Sequence, residues 1–240
     1  MLSDQVILID KPIHWTSFDV VKKVKNVLEK SISPSEGKRI SIKVGHAGTL
    51  DPLARGLLIL CTGKQTKNIS EIQNAEKEYI GSIVLGSVTA SYDLETAVSE
   101  AKVFNHITEK MILNTVEKFT GKILQVPPAH SAVKVKGVRA YEKARRGQPV
   151  NLEPREIWIK KFEITGIELP RVDFIVVCSK GTYIRSLAND FGVALECGAY
   201  LSSLSRSRIG DYLLKDAMSL EDFISLYSSE TTFQQQIASN

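Results

Sequence analysis

The sequence predicts an α+β protein. Strand-like and helix-like runs are mixed along its 240 residues without the regular β-α-β alternation of a doubly wound parallel sheet. Hydrophobic residues make up 43% of the chain, which suits a globular protein with a substantial core. The chain shows no internal repeat. These observations favour a mixed sheet packed against helices.

The chain begins with a strand and an amphipathic helix. Gln5 to Ile9 is a short apolar run that ends in a turn sequence. Thr16 or Ser17 can cap the next helix, because a hydroxyl accepts a hydrogen bond from the free amides of the first turn. That helix is indicated by apolar residues at helical spacing: Val20, Val21, Val24, Val27 and Leu28. Ser31 to Lys38, rich in serine, predicts a flexible loop.

A glycine-rich loop from Gly45 to Gly56 follows, and it carries His46 and Asp51. The apolar runs on either side, Ile40 to Val44 and Leu57 to Cys61, predict strands. A proline follows the aspartate and restricts it to extended backbone, so its carboxylate is held on a stiff loop, as a nucleophile or base requires. The alternative is an ordinary tight turn, since glycine, aspartate and proline are common turn residues.

The rest of the chain alternates between helices and strands. Thr62 to Ile69 and Thr108 to Phe119 predict helices, each with its first threonine as the cap. Gln125 to Ala140 is predicted as a loop, because its adjacent prolines cannot donate to a sheet. Strands are predicted at Tyr79 to Val88, Arg155 to Ile167 and Val172 to Cys178. Further helices are predicted at Thr182 to Leu195 and Ser219 to Tyr227. The polar tail that follows is expected to be frayed.

Charge is distributed unevenly. Nine basic and three acidic residues lie between Lys134 and Lys161, and seven basic and two acidic ones between Val20 and Lys43. From Asp211 to Asn240 there are five acidic residues and one basic residue. This pattern favours a polyanionic partner, although solvated helix faces can produce it too.

Several classes of protein are disfavoured by the composition. No apolar run approaches the roughly 18 residues that a membrane span needs. The first residues do not have the pattern of a signal peptide. The three cysteines are widely spaced and never form a Cys-x-x-Cys pair, so neither disulfides nor a metal site is expected. A cytoplasmic protein fits these features.

Five sequence blocks occur in one order. They are Asp10-Lys11-Pro12 with Thr16-Ser17; Gly48-Thr49-Leu50-Asp51-Pro52; Lys77-Glu78-Tyr79; Gln125-Val126-Pro127-Pro128-Ala129-His130-Ser131-Ala132-Val133-Lys134; and Cys178-Ser179-Lys180-Gly181-Thr182-Tyr183-Ile184-Arg185 with Leu204, Arg206 and Gly210. In these blocks the sequence resembles the TruB family of tRNA pseudouridine synthases, over nearly all of residues 5 to 212. One block would be weak evidence, but five at workable spacing make chance a poor explanation.

The resemblance implies the pseudouridine synthase fold, which has a mixed, mostly antiparallel sheet, flanking helices and a central catalytic cleft. It implies an isomerase that converts uridine 55 in the T-loop of tRNA to pseudouridine and needs neither cofactor nor metal. The uracil of a folded loop must be flipped out before it can react. The expected partner is the tRNA T-stem–loop, and nothing in the sequence demands more than a monomer.

The resemblance also assigns roles to single residues. Asp51 would be the nucleophile, attacking either C6 of the base or C1′ of the ribose, and Arg185 would pair with it. Tyr79 would stack on the base and could act as general base at C5. Without the resemblance, Arg185 would be read as a surface arginine and Tyr79 as a half-buried strand residue.

Further residues match substrate-binding positions. Tyr183 and Leu204 match base contacts, though both could be ordinary core residues. His46 matches a histidine that fills the gap left by the flipped base, and Lys11 matches a lysine that supports the active-site loop. Phosphate contacts, which fix affinity without reading sequence, are expected from Lys134, Arg139, Arg145 and Arg146.

The sequence departs from the family pattern in two main places. His14 stands where glycine is usual, so that turn could bend differently or contact RNA. The expected organisation is a catalytic domain at residues 1–212 and a short acidic extension at 213–240, without the PUA domain that grips tRNA in many relatives.

Two other functions remain open from the residues. One is a non-catalytic RNA-binding or RNA-chaperone protein on the same scaffold, which loss of Asp51 or Arg185 would have favoured. The other is a small-molecule enzyme with a carboxylate nucleophile, which the basic segments disfavour.

Overall fold

A computed structural model describes residues 4–33, 40–99, 102–135 and 137–228. The chain divides into two compact units, one formed by Met1–Ala75 with Ser205–Asn240 and the other by Glu76–Leu204. Within the described residues, no helix combines the length and the apolar character that crossing a membrane requires.

The first unit is a sheet with helices beside it. Its elements are β1 (Val6–Lys11), α1 (Ser17–Ile32), β2 (Val44–His46), β3 (Arg55–Thr62), a 3-10 helix (Gly63–Asn68), α2 (Ile69–Asn74), the end of β10 (Ala199–Ile209), β11 (Tyr212–Leu213), a 3-10 turn (Leu214–Asp216), β12 (Met218–Ser219) and a final helix at 220–228. Neighbouring strands follow the order β12-β1-β3-β10, with β2 on β3 and β11 on β10. Two of these pairings, β1 with β12 and β10 with β3, are parallel. The pairings of β1 with β3, β2 with β3 and β10 with β11 are antiparallel.

Helix α1 forms because its sequence supplies both a cap and an apolar stripe. The Thr16 side chain accepts from the Asp19 amide at 3.0 Å, and the Asp19 carboxylate accepts from the Thr16 amide in return, which completes a capping box. The stripe packs on the sheet in a cluster that includes Ile9, Val20, Val24, Leu28, Leu58, Leu220 and Phe223. The segment from 218 to 228 therefore belongs to the core of this unit.

The second unit is built on a mostly antiparallel part of the sheet. Its elements are β4 (Lys77–Leu85), α3 (Glu109–Lys118), β5 (Gly121–Gln125), β6 (Lys134–Val135), β7 (Val138–Arg139), α4 (Ala140–Arg145), β8 (Arg155–Glu168), β9 (Arg171–Cys178), α5 (Ile184–Ala194) and the start of β10. Neighbouring strands follow the order β10-β4-β9-β8-β5, and β6 and β7 form a separate hairpin. The aromatic rings of Phe162, Phe174 and Phe191 meet in its core.

The α+β class and the mostly antiparallel mixed sheet are confirmed. The Thr108 cap is also confirmed, because its hydroxyl accepts from the Met111 amide at 3.3 Å. Thr62 precedes its helix but does not cap it, since its hydroxyl accepts from the Gln5 amide at 2.8 Å. The predicted loop at Gln125 to Ala140 is wrong in part, because the prolines exclude a strand only around themselves and the β6–β7 hairpin forms beyond them.

Other elements were not foreseen. The sequence patterns missed β5, α4 and β10, which are short or carry polar residues at buried positions. In the predicted loop from Ser31 to Lys38, helix α1 continues to Ile32, and positions 34–39 lie outside the described residues. The tail predicted to fray, at 229–240, also lies outside them.

Candidate active site

The loop that carries Asp51 joins two paired strands. β2 and β3 are antiparallel, with His46 opposite Leu60, so the irregular part of the loop is only 47–54. Gly45, His46 and Gly56, predicted as loop residues, are therefore strand residues. The Ala54 amide donates to the Asp51 carbonyl at 3.1 Å, which closes a tight turn at a half-buried aspartate.

Lys11 contacts this turn and the turn that precedes α1. The residue is fully buried at the end of β1. Its ammonium donates to the Trp15 carbonyl at 2.6 Å, the Pro12 carbonyl at 2.9 Å and, at a long 3.5 Å, the Pro52 carbonyl. Burial lowers the pKa of Lys11 to about 8, and the negative charge of Asp51 opposes that shift. The lysine thus ties two loops together beside the aspartate.

Arg206 holds the other side of the loop and was not assigned a role from sequence. Its guanidinium is buried in β10 and donates to three backbone carbonyls: Leu57 at 2.8 Å, Gly48 at 3.1 Å and Thr49 at 3.4 Å. A planar fork with five donors can bind several carbonyls at fixed angles, which a lysine cannot. The signal that could have pointed to this role is an arginine at a buried position of a strand.

Ser17 fixes the residue before the aspartate. Its hydroxyl accepts from the Leu50 amide at 2.8 Å and donates to the Leu50 carbonyl at 3.2 Å. On the other side, the His14 amide donates to the Pro52 carbonyl at 2.7 Å. Leu50 is therefore hydrogen-bonded to the first residue of α1, and Pro52 to the turn before that helix. From its sequence, Ser17 was expected only as a helix cap.

His46 lies at the end of β2, in the same unit. Burial lowers the pKa of its imidazole, the backbone of Gly48 acts in the opposite direction, and the positive charge of Arg206 adds to the lowering. This direction favours the neutral form of the imidazole.

Arg185 occupies the first turn of α5 in the second unit. Its side chain is only 4% exposed, so the reading as a surface arginine is wrong. The guanidinium donates to the His130 carbonyl at 3.1 Å and to the Ser91 carbonyl at 3.3 Å, and it lies 3.6 Å from the Asp93 carboxylate. These contacts fix the orientation of the guanidinium.

The three apolar and aromatic site residues also lie in this unit. Tyr79 is half-buried on β4 opposite Val176, and both Tyr79 and Leu204 pack at the edge of the core. Tyr183 precedes α5 and is bonded twice to the side chain of Gln125. Its backbone N–H donates to Gln125 Oε1 at 2.8 Å, and its carbonyl accepts from Gln125 Nε2 at 3.1 Å. The prolines after Gln125 thus follow a residue that anchors the start of α5.

The predicted RNA-backbone residues lie around the β6–β7 hairpin. Lys134, Arg139, Arg145 and Arg146 are all exposed. The Arg139 and Arg145 guanidinium groups lie 6.0 and 5.5 Å from the Tyr141 ring centre. Arg145 also forms an exposed ion pair with Glu95 at 2.7 Å.

The structure places the predicted residues in two sets. Lys11, His46 and Asp51 belong to the first unit, and the second holds the rest, namely Tyr79, Tyr183, Arg185, Leu204, Lys134, Arg139, Arg145 and Arg146. In the part of the chain that the structure describes, no group of three or more histidine, cysteine, aspartate or glutamate side chains could hold a metal ion.

Comparisons with known proteins point to one family. Residues 36–184 match the model of the TruB family pseudouridylate synthase N-terminal domain. The chain is 52% identical to a tRNA pseudouridine synthase B of Flavobacterium johnsoniae, over 92% of this chain and 95% of that one. It is 46% identical to the protein of that name from Phocaeicola vulgatus, over 91% of each chain.

Solved structures show the same fold. A chain in the crystal structure of a Cbf5-Nop10-Gar1 complex has a TM-score of 0.69 and 30% identity, and the match covers 92% of this chain and 54% of that chain. A chain in an H/ACA RNP bound to a substrate RNA containing 2′-deoxyuridine has a TM-score of 0.65 and 27% identity, over 92% of this chain and 53% of that chain. The chain thus spans about half the length of these structural relatives. With a family match across more than half its length and close relatives along nearly all of it, the chain belongs to the TruB family of pseudouridylate synthases.

Proposed function

We propose that this protein converts uridine 55 in the T-loop of tRNA to pseudouridine, with Asp51 as the nucleophile. The observation that carries the proposal is the fixed position of Asp51. Both residues next to it and the glycine-threonine pair before it are hydrogen-bonded to Lys11, Ser17 or Arg206. Several bonds that fix one turn are what a reacting carboxylate needs, because small displacements cost large factors in rate.

The reaction rearranges atoms within one nucleotide. The bond between C1′ of the ribose and N1 of uracil breaks, and a bond between C1′ and C5 forms. C5 loses a proton and the ring nitrogen gains one, so the product is an isomer and no external electron acceptor or group donor is needed. The Asp51 carboxylate attacks either C6 of the base or C1′ of the ribose, and both routes are compatible with this balance.

The flipped uracil would be held by residues of the second unit. Tyr79 offers an aromatic face for stacking, worth about 1–3 kcal/mol per base. Its hydroxyl is proposed as the base that removes the proton from C5. Tyr183 and Leu204 would contact the base, and His46 would stack in the place that the uracil vacates.

Arg185 is proposed to pair with Asp51 during the reaction. A guanidinium stays charged at every accessible pH and can bind a carboxylate through two parallel hydrogen bonds. Its contacts with the His130 and Ser91 carbonyls use part of its donor set and fix its plane.

The proposed partner is the tRNA T-stem–loop, bound by a monomer in the cytoplasm without a cofactor. Phosphate contacts from Lys134, Arg139, Arg145 and Arg146 would supply much of the affinity and make it depend on salt. The exposure of all four side chains supports that role. The relatives named tRNA pseudouridine synthase B do not favour the alternative of a non-catalytic RNA-binding protein.

The test measures pseudouridine in a T-stem–loop transcript incubated with wild-type protein, with Asp51→Asn and with Asp211→Asn, which replaces an exposed aspartate of the same unit. We expect product with wild type and Asp211→Asn, and at least about 10⁴-fold less with Asp51→Asn. A second transcript with cytidine at position 55 should give no product. Binding without product from wild type would support the non-catalytic alternative, and an active Asp51→Asn would remove the nucleophile assignment.

A further inference from the structure

A surface cleft lies beside the start of α1, in the unit that carries Asp51. It has a volume of about 370 Å³ and is lined by His14, Trp15, Asp19, Lys22, Lys23 and Asn26. The last four recur three and four residues apart, so they share one face of the helix, and the first two come from the turn that leads into it. This cleft uses none of the residues assigned above to catalysis.

The cleft presents positive charge to solvent. Lys22 and Lys23 are both exposed, whereas the one carboxylate in the lining, Asp19, is engaged in the capping box. Hydrogen bonds from the side chain and backbone of Thr16 hold the pKa of Asp19 below its usual value, and Lys22 contributes to the same shift. Asp19 therefore stays ionised, and the lining carries two ammonium groups against one carboxylate, so a positive charge remains for an anion.

The wall of the cleft is bonded directly to the catalytic turn. The His14 amide donates to the Pro52 carbonyl at 2.7 Å, and the Trp15 carbonyl accepts from Lys11 at 2.6 Å. A ligand in the cleft would therefore contact residues that are hydrogen-bonded to the Asp51 turn or to the lysine that supports it. Phe18, which is 69% exposed one helical turn before Lys22, adds an aromatic surface for an unpaired base.

His14 itself adopts an unusual backbone conformation. Its φ of +69° lies in the left-handed region, where a side chain is disfavoured and glycine is the ordinary choice. The imidazole is exposed, so it is not retained for core packing. A strained residue that keeps an exposed side chain beside an active site is a reason to look for a function of that side chain.

We propose that this cleft binds a backbone phosphate of the RNA substrate, through Lys22, Lys23 and the His14 side chain. This inference rests on the proposed function, because it requires an RNA whose reacting nucleotide is held at Asp51. The contact would place the RNA strand against the turn that carries the nucleophile. It adds a second phosphate-binding region to the exposed arginines around the β6–β7 hairpin.

The first test compares Lys22→Gln/Lys23→Gln with a matched control, Lys30→Gln/Lys67→Gln. The control removes the same charge from two exposed lysines of the same unit that do not line the cleft. Affinity for a T-stem–loop transcript is measured from about 50 to about 400 mM KCl. One lost phosphate contact should lower the slope of log Kd against log salt by about 0.7–0.9 in the cleft variant alone. Equal slopes in the two variants, or no change in either, would overturn the proposal.

The same proteins separate this proposal from the proposed function. If the wild type makes no pseudouridine but only the cleft variant shows the lower salt slope, the proposed function is wrong and the phosphate site is supported. If the wild type is active and the cleft variant keeps the wild-type KM and salt slope, the phosphate site is wrong and the proposed function is supported. The expected result is a KM raised several-fold with a much smaller change in kcat.

A second test addresses His14. His14→Gly removes the imidazole and relieves the left-handed backbone, so its melting temperature should equal or exceed that of the wild type. His14→Asn keeps a polar side chain that tolerates this conformation. We expect weaker RNA binding with glycine and partial recovery with asparagine. A more stable glycine variant with wild-type affinity would show that the side chain has no part in binding.

Discussion

Cationic side chains serve opposite purposes in two regions of this molecule. In the Asp51 turn, Lys11 and Arg206 are buried and donate to backbone carbonyls. Around the β6–β7 hairpin, Arg139 and Arg145 are exposed and lie beside a tyrosine ring or a glutamate. Burial decides which role a cation has. A buried cation fixes the backbone, whereas an exposed one remains available to a phosphate.

The energetic consequences differ in the same way. An exposed ion pair contributes about 0–1 kcal/mol, because water competes for both charges. A buried acceptor left without its donor costs about 1–3 kcal/mol. Changes in the Asp51 turn should therefore affect stability and catalysis together, and changes at the hairpin should affect RNA affinity alone.

The largest effect is expected for Arg206→Met, which removes the donors to Gly48, Thr49 and Leu57. We expect the free energy of unfolding to fall by about 3 kcal/mol and the single-turnover rate by at least about 100-fold. Urea unfolding and pseudouridine formation measure the two losses. Arg206→Lys should recover stability better than rate, because a lysine keeps the charge but not the fork. An Arg206→Met variant with wild-type stability and rate would contradict the claim that this buried cation fixes the Asp51 turn.

The next effect concerns pH. The pKa of Lys11 is lowered to about 8, so the ammonium is present at pH 7 and is lost about two pH units earlier than that of an exposed lysine. Its loss removes charged donors to Trp15 and Pro52, so kcat should fall with an apparent pKa near that value, to about a tenth at pH 9 if the charge is essential. The measurement is kcat at saturating RNA from pH 6 to about pH 9, with pseudouridine quantified after the reaction is stopped. A value of kcat that does not fall up to pH 9 would contradict the prediction.

A smaller effect is expected for Ser17→Ala. The change leaves the buried amide and carbonyl of Leu50 without the serine hydroxyl, and we expect a loss of about 1–2 kcal/mol in unfolding free energy. The rate should fall by about tenfold, because Asp51 follows Leu50 directly. Ser33→Ala, at the other end of α1, is the control for a lost serine. If Ser17→Ala and Ser33→Ala change the rate equally, Ser17 has no specific part in positioning Asp51.

The smallest change in stability is expected at the hairpin. Arg139→Gln/Arg146→Gln should alter the unfolding free energy by no more than about 0.5 kcal/mol, since both side chains are exposed. The same variant should bind a T-stem–loop more weakly and with a lower salt slope. Calorimetry and binding titrations measure these separately. A large loss of stability without a change in affinity would reverse the roles given to the two regions.

Sequence patterns worked best where local chemistry decides the structure. Thr16 and Thr108 cap helices because a hydroxyl satisfies a nearby amide in any context. The sequence patterns predicted poorly where a polar residue is buried by contacts with distant parts of the chain. Thr62 looked like a cap but bonds to Gln5, which is 57 residues away. The strand around Arg206 was missed because a buried arginine interrupts the apolar pattern.

The sequence by itself determined the α+β class and the Thr16 and Thr108 helix caps, and it marked Asp51 as the residue proposed to react, because each depends on local spacing or on motifs that occur together. The tertiary structure decided how that residue is held. Arg206 reaches the Asp51 turn from 157 residues further along the chain, and Arg185 is buried against Ser91 and His130, which are 94 and 55 residues away. Hydrogen bonds between distant segments leave no periodic trace in the sequence, and only the folded chain shows which charges are buried.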